Sequence, residues 1–147
     1  MTGTIVVVGA SHAAVQAIDT LHREGHDGPI ILVGDESEPP YNRPPLSKKY
    51  FTGELARERL QLRSGQFYQQ GATSMRLGVR ATAIDRAAQR LRLSDGGELE
   101  WDKLLLCVGS RARRLDVPGA DLPGIHYLRT IADVDAIRAR PRGSRGG

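Results

Sequence analysis

The stretch Thr4-Ile5-Val6-Val7-Val8, closing on Gly9, constrains this 147-residue chain more than any other segment. A short, uniformly apolar, β-branched run reads as a strand buried on both faces, the signature of a parallel sheet. The residues that follow fix the connection. Ala13 to Arg23 places Ala14, Ile18 and Leu21 at helical spacing, and Gly25 stands where a helix usually stops. Pro29-Ile30-Ile31-Leu32-Val33 reads as a second buried strand, ending at Gly34-Asp35. Strand, helix and strand within about 30 residues make a β-α-β unit, with parallel strands and a right-handed crossover. The predicted fold class is therefore α/β.

Residues 36–46 form a loop dense in proline and charge. Short helices are expected at 47–52, 56–60 and 64–70, the last with Ser64 as its cap. From Arg80 to Trp101 the period changes. Thr82-Ala83-Ile84, Arg90-Leu91-Arg92-Leu93 and Glu98-Leu99-Glu100-Trp101 read as three short strands, the latter two joined through Ser94-Asp95-Gly96-Gly97. That is a β-meander inserted between crossovers. Lys103 to Val108 predicts another buried strand, ending at Gly109. Thr130, with Asp133 three residues on, predicts a capped helix to about Arg140, with Ile131, Val134 and Ile137 as its apolar stripe. The chain from 1 to 140 is expected to form one partial domain, and 141–147, without periodicity or apolar residues, a disordered Arg/Gly tail.

Composition excludes several function classes. The last ten residues hold Arg138, Arg140, Arg142 and Arg145 and no acid, which accounts for the whole net charge of +4. The preceding chain is neutral and only 5% aromatic, so nucleic-acid binding through a basic, stacking face is not expected. No apolar run approaches the ~20 residues that span a bilayer. Met1-Thr2-Gly3-Thr4-Ile5 lacks the basic and apolar regions of a secretory signal, so the cytoplasm is the expected compartment. The one cysteine, Cys107, can form neither an intramolecular disulfide nor a multi-cysteine metal site. It reads as a small buried apolar side chain, and no metal site is predicted.

Gly9-Ala10-Ser11-His12-Ala13-Ala14 sits between the first strand and the first helix, where a G-x-G-x-x-G fingerprint belongs. Ser11 and Ala14 replace the second and third glycines. Gly9 permits the tight turn, a small residue at 11 lets a pyrophosphate approach the backbone, and a small residue at 14 lets helix pack on strand. The helix amino terminus offers unpaired N–H groups and a positive dipole to phosphate. Asp35, 21 residues beyond Ala14 at the end of the second strand, is where an acid accepts hydrogen bonds from a ribose diol, with Glu36 as the competing choice. His12 faces either the cofactor or solvent. Fingerprint, spacing and acid together predict a dinucleotide in a Rossmann-like domain. NAD and FAD share the fingerprint; the meander and the loop at 39–48 favour FAD.

Tyr41-Asn42-Arg43-Pro44-Pro45-Leu46-Ser47-Lys48, read after Leu32-Val33-Gly34-Asp35-Glu36, resembles the flavoprotein reductases that feed ferredoxins in oxygenase systems. These are the putidaredoxin and rubredoxin reductase type within the FAD/NAD(P)-binding pyridine nucleotide-disulfide oxidoreductases. Leu93-Ser94-Asp95-Gly96, Trp101-Asp102-Lys103-Leu104, Val108-Gly109-Ser110-Arg111 and Tyr127-Leu128-Arg129-Thr130 extend the resemblance over residues 4 to about 139. Prolines 39, 40, 44 and 45 stiffen the loop at low entropic cost, so that Arg43 and Lys48 are cations presented toward an anionic cofactor.

The resemblance implies an oxidoreductase in which hydride passes from NAD(P)H to FAD and electrons leave singly to a ferredoxin-type protein. By it, Lys48 sits at the flavin ring, Arg43 at the pyrophosphate or flavin edge, Ala13 at the phosphates, Asp35 at the adenosine ribose, Ala81 at the adenine, Gly109 at the turn beside the cofactor and Arg129 at the cofactor. Flavoreductases that work through a redox disulfide need a cysteine pair, which is not present here. The NAD(P)H-binding domain of the family and its carboxy-terminal domain do not appear in these 147 residues. The sequence is therefore expected to be a truncated amino-terminal part, inactive alone and prone to self-association through its uncovered face.

Overall fold

The computed structural model describes residues 2–140; the expected tail at 141–147 lies outside the described residues. In chain order the regular elements are β1 (Ile5–Val8), α1 (His12–Arg23), β2 (Ile30–Gly34), α2 (Lys49–Thr52), β3 (Thr73–Leu77), β4 (Ala81–Asp85), β5 (Arg90–Leu93), β6 (Glu98–Glu100), β7 (Lys103–Leu106) and α3 (Ile131–Arg138). They divide between two compact units. The first comprises residues 2–41 together with Gln61–Gly109, and the second Asn42–Leu60 together with residues 110–140.

The first unit is built on a four-stranded sheet of order β3-β2-β1-β7, parallel throughout. The β-branched run of β1 is buried at every position because it is covered on both sides. Ile5 and Val7 pack with Ala14, Val15 and Ile18 of α1. Val6 and Val8 pack with Leu91 and Leu93 of β5. The expected meander is the antiparallel sheet β4-β5-β6, which supplies that second cover. Gly25, at φ +71°, ends α1 as expected. The His26 N–H donates to the Leu21 carbonyl at 2.9 Å and the Gly25 N–H to the His22 carbonyl at 3.2 Å, the two bonds of a left-handed helix stop. No described helix is long and apolar enough to cross a membrane.

Sequence pattern and structure differ at β3 and at β7. β3 carries no strand signal of its own. Its inner residues Thr73, Met75 and Leu77 are only half-buried and alternate with exposed Ser74 and Arg76, the weak pattern of an edge strand. β7 was expected to be buried, yet Leu105 and Leu106 are 38% and 55% exposed. It has a neighbour on one side only, and α1 lies over β1 and β2 rather than over it. The short helices are mostly 3-10 turns, at Pro44–Ser47, Arg57–Leu60 and Gly65–Gln69. Ser64 does precede the last of these, without a side-chain capping bond.

In the second unit, Pro44 opens its turn because a proline fits the first position of a helical turn, where no N–H partner is needed. α3 begins as the sequence predicts. The Thr130 hydroxyl accepts from the Asp133 N–H at 3.2 Å while the Asp133 carboxylate accepts from the Thr130 N–H at 2.7 Å, a reciprocal capping box. Tyr50 of α2 donates its hydroxyl to Asp135 at 2.8 Å, and the Arg138 side chain donates to the Tyr50 carbonyl at 3.3 Å. The proline-rich segment and α3 are thus tied by side chains 85 to 88 residues apart in sequence.

Candidate functional site

The carboxyl ends of β1 and β2 and the start of β4 enclose a cleft of about 230 Å³, lined by Val8, Gly9, Val33, Asp35, Val79, Arg80, Ala81 and Val108. Three residues singled out in the sequence, Gly9, Asp35 and Ala81, meet here. Gly109 follows the lining residue Val108, at φ +61°. The crevice beyond strand carboxyl ends is where open parallel sheets bind ligands. Its walls are valine and alanine, with one carboxylate and one guanidinium as its charges. Such a cavity suits a flat, weakly polar ring attached to a hydroxylated group.

The two candidate acids separate cleanly. Glu36 accepts the Tyr41 hydroxyl at 2.5 Å, which fastens the start of the proline-rich loop. Asp35 lines the cleft and meets Arg80 Nη2 through Oδ2 at 3.4 Å. The turn into α1 is equally specific. Gly9, at φ +104°, donates its N–H to the Val33 carbonyl at 2.8 Å, locking the end of β1 to β2. Ser11 is the cap residue of α1, yet its hydroxyl makes no capping bond. The first intrahelical bond runs from Val15 N–H to the Ser11 carbonyl, so helix geometry leaves the amides of 12–14 without intrahelical acceptors. No acid stands in the first turn to neutralise them. His12 and Ala13 are exposed, and His12 does not line the cleft. Ala14 is fully buried in the core with Ile5 and Val7, the close helix-to-strand packing its small size permits.

The remaining predicted residues belong to the second unit. Lys48 is exposed, directly before α2. Arg43 is half-buried and donates from Nη1 to the Arg129 carbonyl at 2.9 Å. The Arg129 N–H in turn donates to Asp133 at 2.9 Å, so both backbone polar groups of Arg129 are engaged. Burial works to raise the Asp133 pKa, but the Thr130 and Arg129 N–H groups, the Thr130 hydroxyl and the Arg43 charge outweigh it and hold the carboxyl below its ordinary range. Arg43, Arg129 and the α3 cap are one connected polar cluster.

Arg80 lines the cleft and was not singled out from the sequence. The signal was a lone charge beside Ala81 at the entry to the meander, too common a pattern to stand out. A wider open groove of about 700 Å³ lies beside β7, lined mainly by Ile5, Ala13, Ala17, Leu21, Leu104 and Leu105. Gln16, Thr20 and Lys103 also line it, but most of its wall is apolar and lies on the uncovered side of the sheet. Cys107 is half-buried against the core and burial pushes its thiol pKa up, which fits a packing role.

Residues 3–145 match the family described as pyridine nucleotide-disulphide oxidoreductase. Rhodocoxin reductase from Rhodococcus erythropolis is 43% identical over 134 residues, which cover 91% of this chain and 31% of that protein. A crystal structure of a ferredoxin reductase from Rhodopseudomonas palustris superposes with a TM-score of 0.84 at 38% identity, over 92% of this chain and 33% of the other. The reductase in a covalent putidaredoxin reductase–putidaredoxin complex gives 0.82 at 37% identity, with the same coverage. The chain spans about a third of the length of the relatives it matches.

Proposed function

This chain belongs to the pyridine nucleotide-disulphide oxidoreductase family, and from that premise we propose that it is the FAD-binding portion of an NAD(P)H-dependent ferredoxin reductase. The observation that carries the proposal is the cleft in which Gly9, Asp35 and Ala81 converge around apolar walls. A purine fits the valine-lined slot, and Asp35 has the acceptor chemistry for a ribose diol. The amides and the unused hydroxyl at Ser11, His12 and Ala13 suit phosphate. By the resemblance, Lys48 is assigned to the flavin ring, Arg43 to the pyrophosphate or flavin edge and Arg129 to the cofactor, all three in the second unit, and Gly109 of the first unit to the turn beside the cofactor. Bound FAD would supply hydride acceptance and single-electron release, and the protein's part is binding, orientation and electrostatics.

The relatives' names support the wider role. They are reductases of rhodocoxin, ferredoxin and rubredoxin, and one is seen joined to putidaredoxin. NAD(P)H would be bound by a part of the family fold not represented in these 147 residues, and the electron acceptor would be a ferredoxin-type protein. Alone, these residues are inactive toward NAD(P)H. Leu105, Leu106 and Val108, exposed on or just after an edge strand, favour a second reading, in which the chain is a catalytically inactive nucleotide-binding remnant or interaction module that self-associates.

The test is the visible spectrum after incubation with FAD and desalting. About one flavin retained per chain is expected. A folded, colourless protein refutes FAD binding by this chain.

A further inference from the structure

The cleft of the first unit carries two charges, and the proposed function uses only one of them. Arg80 adjoins Ala81, lines the same cleft and reaches Asp35 across its mouth. We infer that Arg80 is a second nucleotide-binding side chain, which holds the Asp35 carboxylate toward the ribose diol and lays a planar cation over the purine. This inference rests on the reading of the cleft as the adenosine site.

The guanidinium springs from a fixed point. The Arg80 N–H donates to Ser94 Oγ at 3.0 Å, and the Arg80 carbonyl accepts from the Ser94 N–H at 2.8 Å. On one side the Val79 N–H donates to the Gly34 carbonyl at 3.0 Å; on the other, Ala81 pairs with Leu93. The backbone at the foot of the meander is therefore held to both sheets, while the side chain beyond it is 72% exposed and able to turn.

The contact it makes is not a stabilising feature of the fold. A single Nη2 to Oδ2 approach of 3.4 Å between exposed groups is worth little in water. Its geometry does suit a ligand. Each carboxylate oxygen has two acceptor sites, so a guanidinium on one edge of Asp35 still leaves sites for two ribose hydroxyls, and a bound nucleotide that covers the pair would shield it from water and strengthen it. The other lining side chains are Val8, Val33, Val79, Ala81 and Val108, which offer a purine contact but no planar partner. Arginine is the side chain that stacks on an aromatic face while keeping its charge.

The test uses the whole chain with two probes, FAD and ADP, which share the adenosine half. Affinities are measured by calorimetry for the unsubstituted protein and for Arg80→Ala, Arg80→Lys and Asp35→Asn. Arg80→Ala is expected to weaken FAD and ADP by a common factor of about three to ten, with its urea midpoint unchanged because the group is exposed. Arg80→Lys, which keeps the charge but not the plane, should recover part of the loss; full recovery would overturn the stacking role. If Asp35→Asn weakens both ligands but Arg80→Ala does not, the inference fails and the adenosine site stands. If the unsubstituted protein binds neither ligand, or Asp35→Asn changes nothing, the reading of the cleft falls and takes the inference with it.

Discussion

Replacing Gly9 with alanine tests the turn on which the cleft is built. A Cβ at position 9 would lie 2.6 Å from the carbonyl carbon of Cys107 and 3.0 Å from the nitrogen of Val108, and closer still to the Cys107 oxygen. All three are backbone atoms just past β7, so no side-chain rotation relieves the contact. The residue also sits at φ +104°, a conformation that a side chain disfavours by about 1–3 kcal/mol. Forcing a methyl group into close-packed surroundings adds about 1–3 kcal/mol. The expected loss is thus about 2–6 kcal/mol, a large part of the ~5–15 kcal/mol by which a domain is stable. Gly25→Ala is the control. It too has positive φ, at +71°, but no heavy atom lies within 4 Å of its added Cβ, so only the conformational cost of about 1–2 kcal/mol applies. Urea unfolding followed by circular dichroism gives both values. A Gly9→Ala loss no greater than that of Gly25→Ala would refute the close approach of β1 and β7 at the floor of the cleft.

Three further expectations concern other parts of the molecule. Thr130→Ala should cost about 1 kcal/mol through loss of the α3 cap. Because the Asp133 pKa is lowered on folding, its stabilisation is present above the ordinary carboxylate value near 3.9 and is lost as pH falls through the lower folded value. The stability gap to Asp133→Asn should therefore be full at pH 7 and shrink toward pH 2; a gap independent of pH would contradict the assignment. Sedimentation over a range of concentrations should show self-association that Leu106→Lys weakens, since Leu106 is an exposed apolar group on an edge strand. A strictly monomeric chain at all concentrations would count against it.

What was legible in the sequence was whatever the local pattern alone determines. The β1-α1-β2 unit was plain because β1 is buried on both faces and α1 carries both its apolar stripe and its glycine stop. The α3 cap was plain because Thr130 and Asp133 bond to each other's backbone. β3 escaped because Ser74 and Arg76 face outward on an edge strand, where little apolar residue is required. β7 misled for the opposite reason: Leu104-Leu105-Leu106 has the composition of a covered strand, and composition does not report whether a cover is present. Of the residues that line the cleft, Gly9 and Asp35 are marked by the spacing of one motif, and Ala81 by resemblance. Arg80 depends on how the meander folds back over β2, which local pattern does not encode.

The central claim is that the cleft at the carboxyl ends of β1 and β2 receives the adenosine half of FAD. At 16.0 kDa the chain suits amide-resolved NMR, and titration with FAD would locate the ligand directly. The account predicts that the largest shifts fall on the amides of Gly9, Ser11 to Ala13, Asp35, Arg80 and Ala81. Shifts confined to the apolar groove of Ala17, Leu21 and Leu105, with the cleft amides unmoved, would contradict it.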